Sequence, residues 1–309
     1  IVGMNKFKGY FYGIATSVTF GLIPLFTLPL MGMGMEYDSI LFYRFLFATI
    51  ALAIVMAVKK ESFKVEWSDV PMLFLLGIFY TFSSMFLLLG YDFMGAGVAT
   101  TLHFTYPVFV TLFMFLLFRE KTSLLTWVAI LMAIGGVAML SITGPEMNAS
   151  LKGVIIVLLS AVAYASYIVA VNKSRVRRIN SRKMAFYVFV FTTIILGVKD
   201  VAGGSGVQPI PGIEALGCMI LLAVLPTVIS NITLVAAVQN IGGTMTSVLG
   251  AMEPLTAVCI GALVFGEAFT IREGFGILLI LVAVTLIILS GTIQKSVSKV
   301  LKKIRPRHA

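Results

Sequence analysis

Three ionisable side chains stand inside long apolar stretches of this chain: Arg44, His103 and Glu253. An unpaired charge at bilayer depth costs about 2.5 to 3.5 kcal/mol on insertion scales, so each should face protein or a wet cavity rather than lipid. Glu253 offers the most chemistry. A carboxyl group shielded from water can take up and release a proton, whereas a nearby cation holds it ionised. Pro254 follows it directly and removes a backbone donor. The expected result is a kink and a free Gly250 carbonyl beside the carboxylate. The plainer role for Glu253 is a structural brace paired with Arg44.

His103 is the residue type whose charge changes in the physiological range, although a lone histidine among apolar residues serves as readily as a satisfied structural group. Tyr106, one turn further on the same helix face, can stack on or hydrogen-bond a substrate. Arg44 falls near the outer third of its stretch, within reach of the interface by snorkelling; its functional use would be to attract a carboxylate or phosphate. Tyr80, Ser84, Asn231 and Tyr164 complete the candidate substrate-binding set, with Glu253 as proton carrier and Pro107 and Pro254 as hinge positions. Ser83 and Ser230 are more simply read as hydroxyls bonded to backbone or a neighbouring helix. Glu120 and Glu267 lie at the ends of their stretches, where bonding the exposed donors of the next helix, or a salt bridge, is expected.

The elements that must carry these residues are membrane helices. The 309 residues are 59% hydrophobic and 12% charged, with a mean hydropathy of +1.04, far more apolar surface than one soluble core could bury. Crossing the hydrocarbon takes roughly 20 helical residues, and the apolar stretches run to that length without the alternation of barrel strands. Ten spans are predicted: 8–30, 38–58, 70–91, 95–117, 123–142, 153–172, 183–199, 215–238, 243–265 and 273–292. Gly-rich turns at residues 94–97 and 242–243 make tight hairpins. Gly13, Ser17 and Gly21, and then Ala161 and Ala165, form small-residue seams for close helix packing. Cys218 and Cys259, without metal spacing, are read as small packing residues.

The formal charge of +10 falls on alternate loops. With the amino terminus inside, nineteen Lys and Arg lie on one side and three (Lys152, Lys199 and Arg272) on the other, which predicts cytoplasmic termini. The same tally makes the basic runs at 172–183 and 294–309 topology signals rather than nucleic-acid patches, the latter also suited to an anionic membrane surface.

The chain repeats itself. Residues 99–120 align with 246–267 at an offset of 147, placing Pro107 on Pro254, Glu120 on Glu267, Leu102 on Leu249 and Phe118 on Phe265. At an offset of 144, residues 42–52 share seven of eleven identities with 186–196, and Lys8-Gly9 matches Lys152-Gly153. Each half holds five spans, an odd number, so the halves insert in opposite directions around a pseudo-two-fold axis in the membrane plane. The expected fold is all-α: ten transmembrane helices in two inverted five-helix repeats. The boundaries are a tail at 1–7, with Ile1-Val2-Gly3 before Met4 given no structural meaning, then a first repeat at 8–142, a connection at 143–152, a second repeat at 153–292 and a basic cytoplasmic tail at 293–309.

Ten helices in two halves, each with a proline followed thirteen residues later by a glutamate, resemble the EamA-type members of the drug/metabolite transporter superfamily. Residues 252–273, with Glu253-Pro254 and Gly266-Glu267, match most closely. The first half departs from that pattern, having Tyr106 in place of Glu253 and Arg119 in place of Gly266. The resemblance implies a transporter in a bacterial inner membrane, working without cofactor or metal. It leaves the substrate open, since such proteins move amino acids, nucleotide sugars, phosphorylated sugars, amines and drugs.

The leading expectation is secondary-active export or exchange of a small polar or amphipathic metabolite, amino acid-like, amine or drug, by alternating access. No Gly-x-x-x-x-Gly-Lys-Ser/Thr motif is present for nucleotide-driven transport. An intramembrane enzyme using His103 and Glu253 is the second reading, against which stands the lack of clustered carboxylates or a Gly-x-Ser-x-Gly motif. A passive pore, or a structural partner for another membrane protein, is the third. Expected partners are a small molecule and the lipid bilayer, not nucleic acid, with monomer and homodimer both open.

Overall fold

In the computed structural model, residues 6–120, 122–141, 151–204, 206–241 and 243–304 are described. The expectations for residues 1–3, for most of the connection at 143–152, for Gly242 and for the last five residues fall outside them. Every apolar stretch among the described residues is helical, and no strand occurs among them, as a chain without water to satisfy its backbone requires.

The first span is broken into α1 (Lys6–Gly21) and α2 (Ile23–Gly32), with Pro24 just inside α2. Next come α3 (Tyr37–Val58) and α4 (Val70–Gly90), each one span. The fourth span is again two helices, α5 (Ala96–His103) and α6 (Tyr106–Phe118), and α7 (Leu124–Ser141) is the fifth. The second half runs α8 (Leu151–Lys173), α9 (Ser181–Ala202), then α10 (Ile213–Ala223) and α11 (Ser230–Ile241) joined by a π-turn at Val224–Ile229. Its ninth span is α12 (Gly243–Leu249) plus α13 (Met252–Val264), and α14 (Ile271–Ile304) is the tenth. Eight of these stretches are long and apolar enough to cross a bilayer, and the other two are shorter apolar helices. The tenth span does not stop near 292 but continues as one helix into the basic segment.

The two halves interleave, and the main packing pairs have twins. The third span lies on the sixth (α4 on α8) as the first lies on the eighth (α1 on α11). The second, fourth and fifth each pack on their own counterparts: α3 on α9, α5 on α13 and α7 on α14. Exchanging the halves therefore reproduces these pairings, as a two-fold relation demands. Where α7 meets α14 the backbones touch, since a Cβ added at Gly136 would lie 2.9 Å from the Gly276 carbonyl oxygen. Glycine at such a crossing is what membrane helices use in place of a hydrophobic driving force.

The seam on α1 serves the same end. A Cβ at Gly21 would meet the Glu253 carbonyl oxygen at 2.7 Å, so glycine there lets the first span press against the ninth. Cys259 departs from expectation, being exposed on the outer surface of the bundle, while Cys218 is half-buried.

The halves are tied together at both ends. At the end bearing the basic loops, Arg182 pairs with Glu61, and Arg178 bridges Glu66 at 2.6 Å and Asp69 at 3.3 Å. Arg182 bonds Glu61 strongly enough, by hydrogen bond and charge, to hold that carboxyl below its usual range. At the other end Lys199 pairs with Asp38, and Gln208 bonds Glu36 N at 2.7 Å and Ser39 Oγ at 3.0 Å.

Candidate functional site

A cavity of about 60 Å³ lies between the halves, room for several water molecules. Seven of the eight predicted substrate-binding residues line it: Arg44, Tyr80, Ser84, His103, Tyr106, Tyr164 and Glu253. Asn231 does not. Its amide donates to the Thr227 carbonyl at 2.6 Å, one turn back on its own helix. Phe20, Ile23, Leu87 and Leu88 supply the apolar wall.

Helix breaks put the chemistry at the middle of two spans. α5 ends at His103 and α6 begins at Tyr106; α12 ends at Leu249 and α13 begins at Met252, so both repeats interrupt the span at the same place. Pro107 and Pro254 stand at the first turns of α6 and α13, where a missing N–H costs nothing. The Gly250 carbonyl is not free, contrary to the expectation. It accepts from Glu253 N at 2.9 Å, because the chain tightens into an i→i−3 turn ahead of the proline. What the break exposes at this cavity is the side chain of Glu253, which makes no protein hydrogen bond among the described residues.

Arg44 does not snorkel. It is 4% exposed, its guanidinium lies over the Phe45 ring with 5.2 Å to the centroid, and Nε donates to Thr227 Oγ1 at 3.0 Å. Thr227 sits in the π-turn after Pro226, and its own hydroxyl bonds back to Leu222 at 3.1 Å. The wider turn brings that hydroxyl onto Arg44, a role the sequence reading missed although proline within the eighth span was its signal. No direct ion pair joins Arg44 to Glu253 among the described residues, so the brace reading of that pair fails. A guanidinium and a carboxylate face one space, each with groups left over.

Aromatic rings form the remaining side. Tyr164 meets Tyr106 edge-on at 4.8 Å between centroids, stacks on Tyr167 at 5.8 Å and lies 5.5 Å from His103. Tyr80 contacts Tyr167 at 5.4 Å and Phe45 at 5.6 Å. His103 is 8% exposed and bonds through Nδ1 to Ser160 Oγ at 2.9 Å, and Ser160 in turn donates to the Ser83 carbonyl at 2.6 Å. Ser160 was not anticipated, since a lone serine in an apolar helix carries no signal of its own. No group of three or more potential metal ligands is found among the described residues.

Glu120 and Glu267 take different jobs. Glu120 pairs with Lys173 at 2.9 Å on the surface. Glu267 accepts from Ala96 N at 2.8 Å and Gly97 N at 3.4 Å, holding the start of α5 in the opposite repeat rather than the next helix.

A ten-helix duplicated bundle with a polar chamber between its halves has the architecture of a membrane transporter. Family comparison agrees: the model of the EamA-like transporter family matches residues 7–142 and again 151–289, and the chain belongs to that family. It is 26% identical over 248 residues to the uncharacterized transporter YdfC of Bacillus subtilis, covering 79% of each chain. To an uncharacterized transporter of Archaeoglobus fulgidus it is 23% identical, covering 79% of this chain and 86% of the other. To the uncharacterized inner membrane transporter YedA of Escherichia coli it is 23% identical, covering 63% of this chain and 62% of that one. A solved structure titled only as a crystal structure of protein shares the fold, with TM-score 0.64 and 15% identity, over 92% of this chain and 98% of that one.

Proposed function

We propose that this protein is a secondary-active transporter that exports or exchanges a small metabolite through the central cavity, the two repeats rocking about it so that each end opens in turn. The observation that carries this reading is the meeting of Arg44 and Glu253 in one aromatic-walled space between the halves, neither spent on the other. A buried charge without a full complement of partners is costly, and a substrate bearing both an anionic and a donor group would supply what each lacks. Amino acid-like zwitterions fit that requirement, with Tyr106 and Tyr164 against an apolar portion; an amphipathic amine would meet Glu253 alone.

Glu253 is the proton carrier in this reading. It is the acidic group of the chamber, beside a helix break that lets its surroundings change as the halves move. Ties between the halves at both ends support alternation, since releasing one set opens one side. The basic loops belong in the cytoplasm, together with both chain ends, and the membrane is a bacterial inner membrane. Proteoliposomes test the coupling. With wild-type protein an imposed pH gradient drives substrate accumulation, and with Glu253→Gln it does not; accumulation unchanged by the substitution removes Glu253 from the coupling step.

A further inference from the structure

We infer that Ser160 is a positioning residue that fixes the tautomer of His103, so that the imidazole presents a bare Nε2, a hydrogen-bond acceptor, to the cavity. The geometry leaves one arrangement of protons along the chain from Nδ1 through Ser160 to Ser83. Ser160 Oγ lies 2.6 Å from the Ser83 carbonyl oxygen and 2.9 Å from His103 Nδ1. A carbonyl can only accept, and a hydroxyl has one proton to give. If that proton went to Nδ1, two oxygens would face each other at 2.6 Å with nothing between them. Both contacts are satisfied only when Ser160 donates to Ser83 and Nδ1–H donates to Ser160. Hydrogen positions follow from the network in this way, and a neutral ring with Nδ1 protonated has a lone pair on Nε2. That nitrogen has no protein partner among the described residues, and His103 lines the cavity.

The duplicated half supplies an independent observation. At the offsets that relate the repeats, Ser160 corresponds to Thr16 and Ser83 to Ser230, and the Thr16 hydroxyl likewise approaches the Ser230 carbonyl, at 3.4 Å, while its proton goes to Thr233 Oγ1 at 2.7 Å. The approach of hydroxyl to carbonyl thus belongs to the way the sixth span packs on the third and the first on the eighth. Position 250, the counterpart of His103, is glycine, so only one half has hung an imidazole on it. The proton of Ser160 is committed by packing, and the histidine takes the remaining role.

The consequence is a polarity for this wall of the chamber. Glu253 and His103 Nε2 accept, Arg44 donates, and a substrate must bring N–H or O–H groups to the His103 side. This deepens the reading of the cavity as the substrate site and, for its functional meaning, rests on it. The tautomer itself is separable.

Histidine occurs twice in the chain, at 103 and 308, so His308→Ala leaves one imidazole and an unambiguous signal. With 15N-labelled histidine in the full-length protein in nanodiscs at mildly alkaline pH, the ring nitrogens report a protonated Nδ1 and a bare Nε2. Free neutral histidine prefers the opposite tautomer, so Ser160→Ala moves the signal toward protonated Nε2 and Ser160→Thr restores it. A wild-type spectrum with protonated Nε2, or with both nitrogens protonated, overturns the assignment even if Ser160→Ala does not fold. So does a spectrum indifferent to Ser160→Ala. Flux unchanged by Ser160→Ala, with the spectrum as expected, would instead count against the cavity as the substrate site.

Discussion

Arg119 and Gly266, 147 positions apart, both turn the chain through the left-handed region, at φ 52° and 67°. Each closes its helix with the same bond: Glu120 N to the Met114 carbonyl at 3.1 Å and Glu267 N to the Gly261 carbonyl at 2.9 Å. The same helix stop forms with and without the glycine that makes it easy. Left-handed backbone costs a residue with a Cβ roughly 1 to 2 kcal/mol, so Gly266→Ala should destabilise by about 1 kcal/mol. Arg119→Gly should gain somewhat less, because glycine also widens the unfolded ensemble. Unfolding in mixed micelles measures both, and opposite signs at the two positions are expected.

The glutamates that follow make a second comparison. Glu267 bonds two backbone donors at the start of α5, while among the described residues Glu120 reaches Lys173 alone, half in solvent. Loss of a cap of this kind costs about 1 kcal/mol, and an exposed ion pair contributes about 0 to 1 kcal/mol. Glu267→Ala should therefore lower stability clearly and Glu120→Ala hardly at all. Equal losses would mean that the bonds to Ala96 and Gly97 contribute nothing.

Arg44 depends on Thr227 for its aim. Thr227→Val keeps the shape and removes the acceptor for Nε, and hydrogen bonds to charged groups are worth about 1.5 to 3 kcal/mol. Substrate affinity should fall about three- to tenfold if half of that is felt in binding. Arg44→Lys should rescue little of the loss from Arg44→Ala, because an ammonium cannot bond Thr227 and still present a planar fork to a carboxylate. Binding measured by thermal shift and flux in proteoliposomes gives the two readouts; a lysine with full activity would show that charge alone suffices.

The sequence was informative where a pattern repeats. Spans, halves and the mid-span positions of Glu253, His103 and Tyr106 were all legible from length, offset and the Pro–Glu spacing, because membrane helices leave the backbone few alternatives. Side-chain partnerships were not. Arg44 was expected at the interface because snorkelling depends on depth alone, whereas its actual partner is set by a π-turn at Thr227 that only the packed eighth span reveals. Asn231 lies one turn from Thr227, yet its helix rotates it to bond its own backbone. Ser160 owes its importance wholly to neighbours 57 and 77 positions away.

The pair between Glu61 and Arg182 ties the two repeats at the basic end and should set how often that end opens. Arg182 holds the Glu61 carboxyl below its usual range, and the sign follows. A depressed folded value gives stabilisation that is fully present above the unfolded value and lost as pH falls through the folded one. The tie is therefore intact at neutral pH and weakens only in acid, below the ordinary carboxylate range. Side chains 22% and 19% exposed limit its worth to at most about 1 kcal/mol, or roughly fivefold in an opening equilibrium. A cysteine at Ser84, in a background without Cys218 and Cys259, reports that opening through its reaction with a polar thiol reagent added on the basic side. Glu61→Gln should raise the rate up to about fivefold at neutral pH, and the exchanged pair Glu61→Arg with Arg182→Glu should bring it back. If the rate ignores Glu61→Gln yet changes between neutral and mildly acidic pH, another titrating group governs the opening and this pair is only a surface contact.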